Sequence, residues 1–255
     1  MIKNIAFLLS CISLILILGA CGSPEEKKDQ ATGNNDSVVP KTEAAFVFDS
    51  TTINDKIKPD KKLTTYKGTF LKAVQWTDIN GENILILSQK AAYVTDKDEE
   101  TRKAEFYGIC YLKKADAYEK QWEISDFVDQ CWCDCDVTLQ ESTLKITDID
   151  KDGIAENLFI YVLNDRCDVG PVQTKLMMHS GVVKLVVRGY SQQYFGPDEK
   201  EMNTFRKEQG LKSVKFKELD PEFDKHNDAF KNYASAYWDN YIKQENDKFK
   251  KEQPN

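Results

Sequence analysis

Residues 148–156 read Asp-Ile-Asp-Lys-Asp-Gly-Ile-Ala-Glu, and no other stretch restricts the fold so tightly. Asp148, Asp150 and Asp152 alternate, Gly153 admits a sharp turn, Ile154 can present a backbone carbonyl, and Glu156 closes the series. Oxygen ligands therefore stand at every second position. Two carboxylates about 4 Å apart repel by on the order of 4 kcal/mol at an effective dielectric of 20. Four converge only where a cation offsets that repulsion. Calcium takes six to eight oxygens in a flexible shell, whereas magnesium demands a tight octahedron, so the spacing predicts Ca2+ held by Asp148, Asp150, Asp152, Ile154 and Glu156. The alternative is an acidic Asp-Gly turn that holds no ion. Upstream, residues 143–147 alternate with Leu144 and Ile146 on one face, and downstream 158–163 is a dense apolar run. Both flanks read as strands, so the loop joins a β-ribbon rather than two helices.

That flanking separates the loop from an EF-hand, as does Phe159, which stands where the bidentate glutamate of an EF-hand falls. It resembles instead the calcium loops of integrin-type and related bacterial repeat domains. The resemblance implies a structural ion of modest affinity, matched to the calcium found outside cells. Asp78-Ile79-Asn80-Gly81-Glu82 is a candidate degenerate second copy.

The remaining pattern is mostly of period two. Segments 69–76 and 83–87 flank an Asn-Gly pair and predict a hairpin; 104–112 and 122–128 are further strands; 175–179 and 182–188 form another hairpin about Ser180-Gly181. After Pro221 the period changes. Phe223, Phe230, Tyr233, Ala234, Tyr237, Trp238, Tyr241 and Ile242 recur at three and four residues, an aromatic stripe down one helical face. Such a face packs on a core; a carbohydrate-binding platform is the sharper alternative. The fold class is α+β: mostly antiparallel sheet built from hairpins, with a C-terminal amphipathic helix over 221–250 packed on a β-rich domain over 63–220.

The chain opens Met1-Ile2-Lys3, runs apolar from Ile5 to Leu18, and reaches Leu18-Gly19-Ala20-Cys21. The apolar run falls short of the roughly 20 residues needed to span a bilayer and ends in small residues, as a cleaved signal does. Residues 1–21 are therefore read as a signal peptide. The Leu-Gly-Ala-Cys segment resembles the bacterial lipobox, which implies lipidation of Cys21, anchoring by acyl chains worth about 0.8 kcal/mol per buried methylene, and, with Gly22 next, sorting to the outer membrane on its periplasmic or outer surface. Residues 22–62 are polar at first and read as a flexible linker.

Export shapes the reading of the cysteines. Without Cys11 and Cys21, five remain: Cys110, Cys131, Cys133, Cys135 and Cys167. Disulfides are the default in an oxidising compartment. Cys135 and Cys167 are equidistant from Lys151, so a regular ribbon turning there sets them opposite each other and predicts a bridge worth about 3.5 to 4 kcal/mol. Cys110 then pairs with Cys131 or Cys133. A soft-metal site at Cys131-Trp132-Cys133-Asp134-Cys135 is the competing idea.

The formal charge of −7 makes the chain a poor partner for nucleic acid. Its two histidines, His179 beside a hairpin turn and His226 on the terminal helix, read as surface residues, and neither lies in a hydrolase or metalloprotease motif. Several segments together resemble one family: Trp76-Thr77-Asp78 with Gly81-Glu82-Asn83-Ile84, Trp122, Asp126-Phe127, the acidic loop, Asp168-Val169-Gly170-Pro171, Lys175 to His179, and Arg188-Gly189. They are similar to small Gram-negative envelope lipoproteins sometimes labelled surface polysaccharide biosynthesis proteins. The resemblance implies a part in surface glycan display or assembly. Taken with the residues, the expectation is a lipid-anchored, calcium-stabilised, non-catalytic envelope protein that meets the membrane through its N-terminal lipid and binds surface glycan or an envelope protein. A glycan-processing hydrolase and a structural subunit of an export machine are the alternatives.

Overall fold

A computed structural model describes residues 46–60, 65–95, 100–167, 170–193 and 198–252. The expected signal peptide, Cys21 and the first part of the expected linker lie outside the described residues. The rest of the fold is α+β and mostly antiparallel, as expected. Strands β1 (Thr69–Asp78), β2 (Gly81–Val94), β3 (Arg102–Lys114) and β4 (Ala117–Cys131) form one sheet in sequential order. A second sheet takes β5 (Asp136–Thr147), β6 (Glu156–Asn164), β7 (Val172–Ser180), β8 (Val183–Ser191) and the short β9 (Lys217–Leu219), again in order. Helix α1 (Glu199–Glu208), which the sequence pattern did not foretell, lies between β8 and β9, and α2 (Asp228–Glu252) closes the chain. The segment 221–225, expected to begin that helix, is a separate 3-10 turn.

Side-chain parity divides these elements into three layers. Val74, Trp76, Leu85, Leu87 and Phe106 of the first sheet meet Phe159, Tyr161, Met177 and Val186 of the second in one buried cluster. Their neighbours Leu158, Ile160, Leu176, Met178, Leu185 and Val187 point the other way and are covered by Phe230, Ala234, Trp238, Tyr241 and Ile242 of α2. Strand β6 is thus buried on both faces, which is why its sequence is a dense apolar run rather than an alternating one. The aromatic stripe is core, and its partner is the outer face of the second sheet. Part of the expected linker is also packed: Phe48 and Ile53 contact the inter-sheet core, and Asn54 bridges Gln75.

The helix approaches the second sheet closely at Gly189. A Cβ there would lie 2.0 Å from the Phe216 carbonyl oxygen and 2.8 Å from the Trp238 ring. Only glycine lets β8, the β9 approach and α2 meet at that point.

The predicted Cys135–Cys167 bridge is corrected: the disulfide joins Cys133 and Cys167, and Cys135 is a buried free thiol. A bulge in β5 is the reason. Partner numbers across β5 and β6 sum to 303 from Thr147↔Glu156 to Lys145↔Leu158, then to 300 from Gln140↔Ile160 to Asp136↔Asn164. The ribbon absorbs extra residues between Gln140 and Lys145, and Cys133 with Cys167 continues the second series. Cys110 and Cys131, expected to include a second bridged residue, are buried free thiols too.

Candidate metal centre

The acidic loop connects β5 to β6, and its first, third and fifth positions converge. One carboxylate oxygen from each of Asp148, Asp150 and Asp152 lies within 4.8 Å of the others. The turn is set by two left-handed residues, Lys151 at φ 63° and Gly153 at φ 85°. Glycine suits the left-handed backbone at 153, and a Cβ there would also press on the Phe46 ring at 3.1 Å. Backbone donors hold the carboxylates in place: Gly153 N–H donates to Asp148 Oδ2 at 3.2 Å, and Ile154 N–H to Asp152 Oδ1 at 2.7 Å.

Glu156 opens β6 at the far side of the loop and is fully buried. Its Oε2 accepts the Ile149 N–H at 2.7 Å. Its Oε1 has no hydrogen-bond partner, and neither do Asp148 Oδ1 and Asp150 Oδ1, all three atoms being buried. Burial, reinforced by the charges of Asp150 and Asp148, pushes the Glu156 carboxyl up to about 8. Burial and then the Asp152 charge raise Asp150 as well. Orphaned buried carboxylate oxygens are costly, and a divalent cation would satisfy them. Hard oxygen donors without histidine or thiolate suit calcium. Ile154, expected to give a carbonyl, follows the turn half-buried.

The loop is braced from the first sheet. Ile79 N–H donates to the Gly153 carbonyl at 2.9 Å, and Ala155 N–H reaches Asp78 Oδ2 at 3.4 Å. Asp78 also accepts from Asn80 N–H at 2.9 Å and Trp76 Nε1–H at 3.3 Å. The Asp78–Glu82 stretch is therefore a strut for the acidic loop rather than a copy of it.

His179 corrects the surface reading. It is 1% exposed and stacks on Trp122 with ring centroids 3.7 Å apart and planes 6° from parallel. Asn157, its cross-strand partner, is equally buried, and both Asn157 Oδ1 and His179 Nδ1 lack hydrogen-bond partners. A signal was present for Asn157, which breaks the inward series it forms with Phe159 and Tyr161; Lys175, Met177 and His179 give no such series. His226 precedes α2 and pairs with Glu222 at 3.2 Å.

Comparison with protein-family models, curated proteins and solved structures returned no match. Among the described residues, no helix is long and apolar enough to cross a membrane.

Proposed function

We propose that this chain is a lipid-anchored, calcium-stabilised, non-catalytic protein of the cell envelope, with a binding or accessory role in surface glycan display or assembly. The observation that carries the calcium part is the convergence of Asp148, Asp150 and Asp152, whose ligand oxygens lie within 4.8 Å of one another, with buried unpartnered oxygens on Asp148, on Asp150 and, outside that cluster, on Glu156. Ca2+ bound by Asp148, Asp150, Asp152 and Glu156, with the Ile154 carbonyl completing the shell, would remove the repulsion and the desolvation penalty together. The ion ties the end of the β5–β6 ribbon, and through Ile79 and Asp78 it ties the two sheets.

Export is supported by the apolar leader, the lipobox-like Leu18 to Cys21 and the Cys133–Cys167 bridge, which belongs in an oxidising compartment. The acidic balance turns the domain away from nucleic acid and anionic headgroups, so membrane contact is assigned to the lipid.

Thermal unfolding of Asp150→Ala and of the parent chain, each with calcium and with chelator, tests the metal. The variant is expected to melt several degrees lower in calcium and close to the parent in chelator. Equal loss under both conditions would remove the ion from the account.

A further inference from the structure

At the end of the sandwich where the acidic loop lies, four connections surround a cleft of about 540 Å³. Its walls come from the β1–β2 turn, the facing ends of β3 and β4, the residues leaving the acidic loop, and the β7–β8 turn. We propose that this cleft binds a neutral polyhydroxylated small molecule, of mono- or disaccharide size, against Asn83, Asn157 and the apolar side chains of Ile154, Val182 and Val183. This deepens the binding reading above and rests on it.

The floor is unusual for the interior of a β-sandwich, because it is both buried and polar. Asp78, Asn83 and Asn157 are 5%, 7% and 2% exposed, and all three line the cleft. Asn157 Oδ1 is buried with no hydrogen-bond partner. A buried acceptor left unpaired costs stability, and a donor on a bound molecule would satisfy it. Asn80 and Gln121 add further amides, groups that donate and accept as hydroxyls do.

Charge selects a neutral occupant. Asp78 is already engaged by Trp76 Nε1–H, Asn80 N–H and Ala155 N–H, so no bare anion faces inward to attract a cation. Lys114 and Glu119 stand exposed at the rim with opposite signs. Ile154, Val182 and Val183 supply apolar surface beside these amides, Val182 being 66% exposed. An apolar wall edged by donor-acceptor groups complements a pyranose, which has a C–H face and a rim of hydroxyls. Ile154 and Ala155 pass directly from the acidic loop into the cleft wall, so the same segment serves both sites.

The test is titration of the full-length chain in mild detergent with glucose, galactose, N-acetylglucosamine and maltose, with glucosamine and glucuronate as charged counterparts. Calorimetry and tryptophan fluorescence are both read, in calcium and in chelator. Saturable binding of at least one neutral sugar is expected, weakened about tenfold or more in Asn157→Leu, a change near the loss of one hydrogen bond. Far-ultraviolet circular dichroism and the calcium-dependent melting temperature of Asn157→Leu, expected to match the parent's, serve as the control for misfolding. No binding by any neutral sugar, preference for either charged counterpart, or equal affinity in Asn157→Leu would overturn the assignment. Calcium stabilisation without sugar binding sinks the cleft and leaves the metal; sugar binding that ignores chelator keeps the cleft and counts against the metal.

Discussion

His179 carries the clearest single-residue consequence. Burial first, and then the charge of Lys184, hold its pKa down to about 3. The groups around it are Trp122 stacked on its ring, Asn157 across one strand and Lys184 across the other. In the unfolded chain the imidazole takes a proton near pH 6.5, whereas in the folded chain it stays neutral until about pH 3. The stability it contributes is therefore complete above pH 6.5 and falls by about 1.4 kcal/mol per pH unit below it. Without a bound ion Glu156 has the opposite sign: its carboxyl is raised to about 8, so its contribution is lost as pH rises from the unfolded value toward 8. The histidine is isolated by subtracting the urea midpoints of His179→Gln from those of the parent between neutrality and about pH 4. The parent's advantage over the variant is expected to shrink toward acid, by about 1.4 kcal/mol per pH unit; a flat difference would mean that His179 is not held neutral. The sequence placed His179 beside a turn and left it on the surface, since Lys175 on the same face of β7 already reads as polar and nothing in the chain marks the sheet opposite. Trp122, which buries it, is 57 residues away in the chain.

The β5–β6 ribbon shows at the scale of elements what sequence arithmetic captures and what it misses. The acidic turn, its two strands and the presence of a cysteine bridge behind it were legible from alternation, an Asp-Gly pair and the expectation of an oxidising compartment. The bridging residue was not, because symmetry about Lys151 assumes an unbroken ladder. The bulge between Gln140 and Lys145 breaks it, and Thr143 makes the bulge habitable: its hydroxyl donates to the Gln140 carbonyl at 2.6 Å and accepts the Ile160 N–H at 2.8 Å. Those bonds satisfy backbone groups that the ladder leaves unpaired. The Cys133–Cys167 bridge spans a sequence separation of 34, and the chain-entropy relation gives it about 3 to 4 kcal/mol. Cys133→Ser combined with Cys167→Ser is expected to lower the denaturation midpoint by that amount and to make it indifferent to reductant. Cys135→Ala, which trims a buried thiol, is expected to cost about 1 kcal/mol and to keep the reductant response. Reductant response lost on changing Cys135 instead would restore the symmetric pairing. The terminal helix is the opposite case, since its aromatic period was read correctly from sequence and only its start moved, from 221 to Asp228, where Pro221 had opened a 3-10 turn.

For the whole molecule, β6 is the shared member. Its inward residues join the inter-sheet core, its outward residues meet α2, its first residue is Glu156 of the acidic loop, and its second is Asn157 of the cleft. Ile149 of the loop packs on the helix cluster, and Tyr237 of α2 donates to the Thr143 carbonyl in the β5 bulge at 3.0 Å. Three layers that share one strand cannot lose a layer without exposing that strand, so the domain is expected to unfold as a unit. Trp238→Ala tests this, because Trp238 is 1% exposed and sits at the centre of the helix contact. Loss of a large buried aromatic costs about 3 to 5 kcal/mol. If the helix were a separable lid, far-ultraviolet circular dichroism in the variant would fall at lower urea than tryptophan fluorescence from the inter-sheet core. Cooperative coupling through β6 instead requires both signals to move together to the same lower midpoint. A split transition would show the outer layer to be independent, and the reach of the acidic loop would then end at the two sheets.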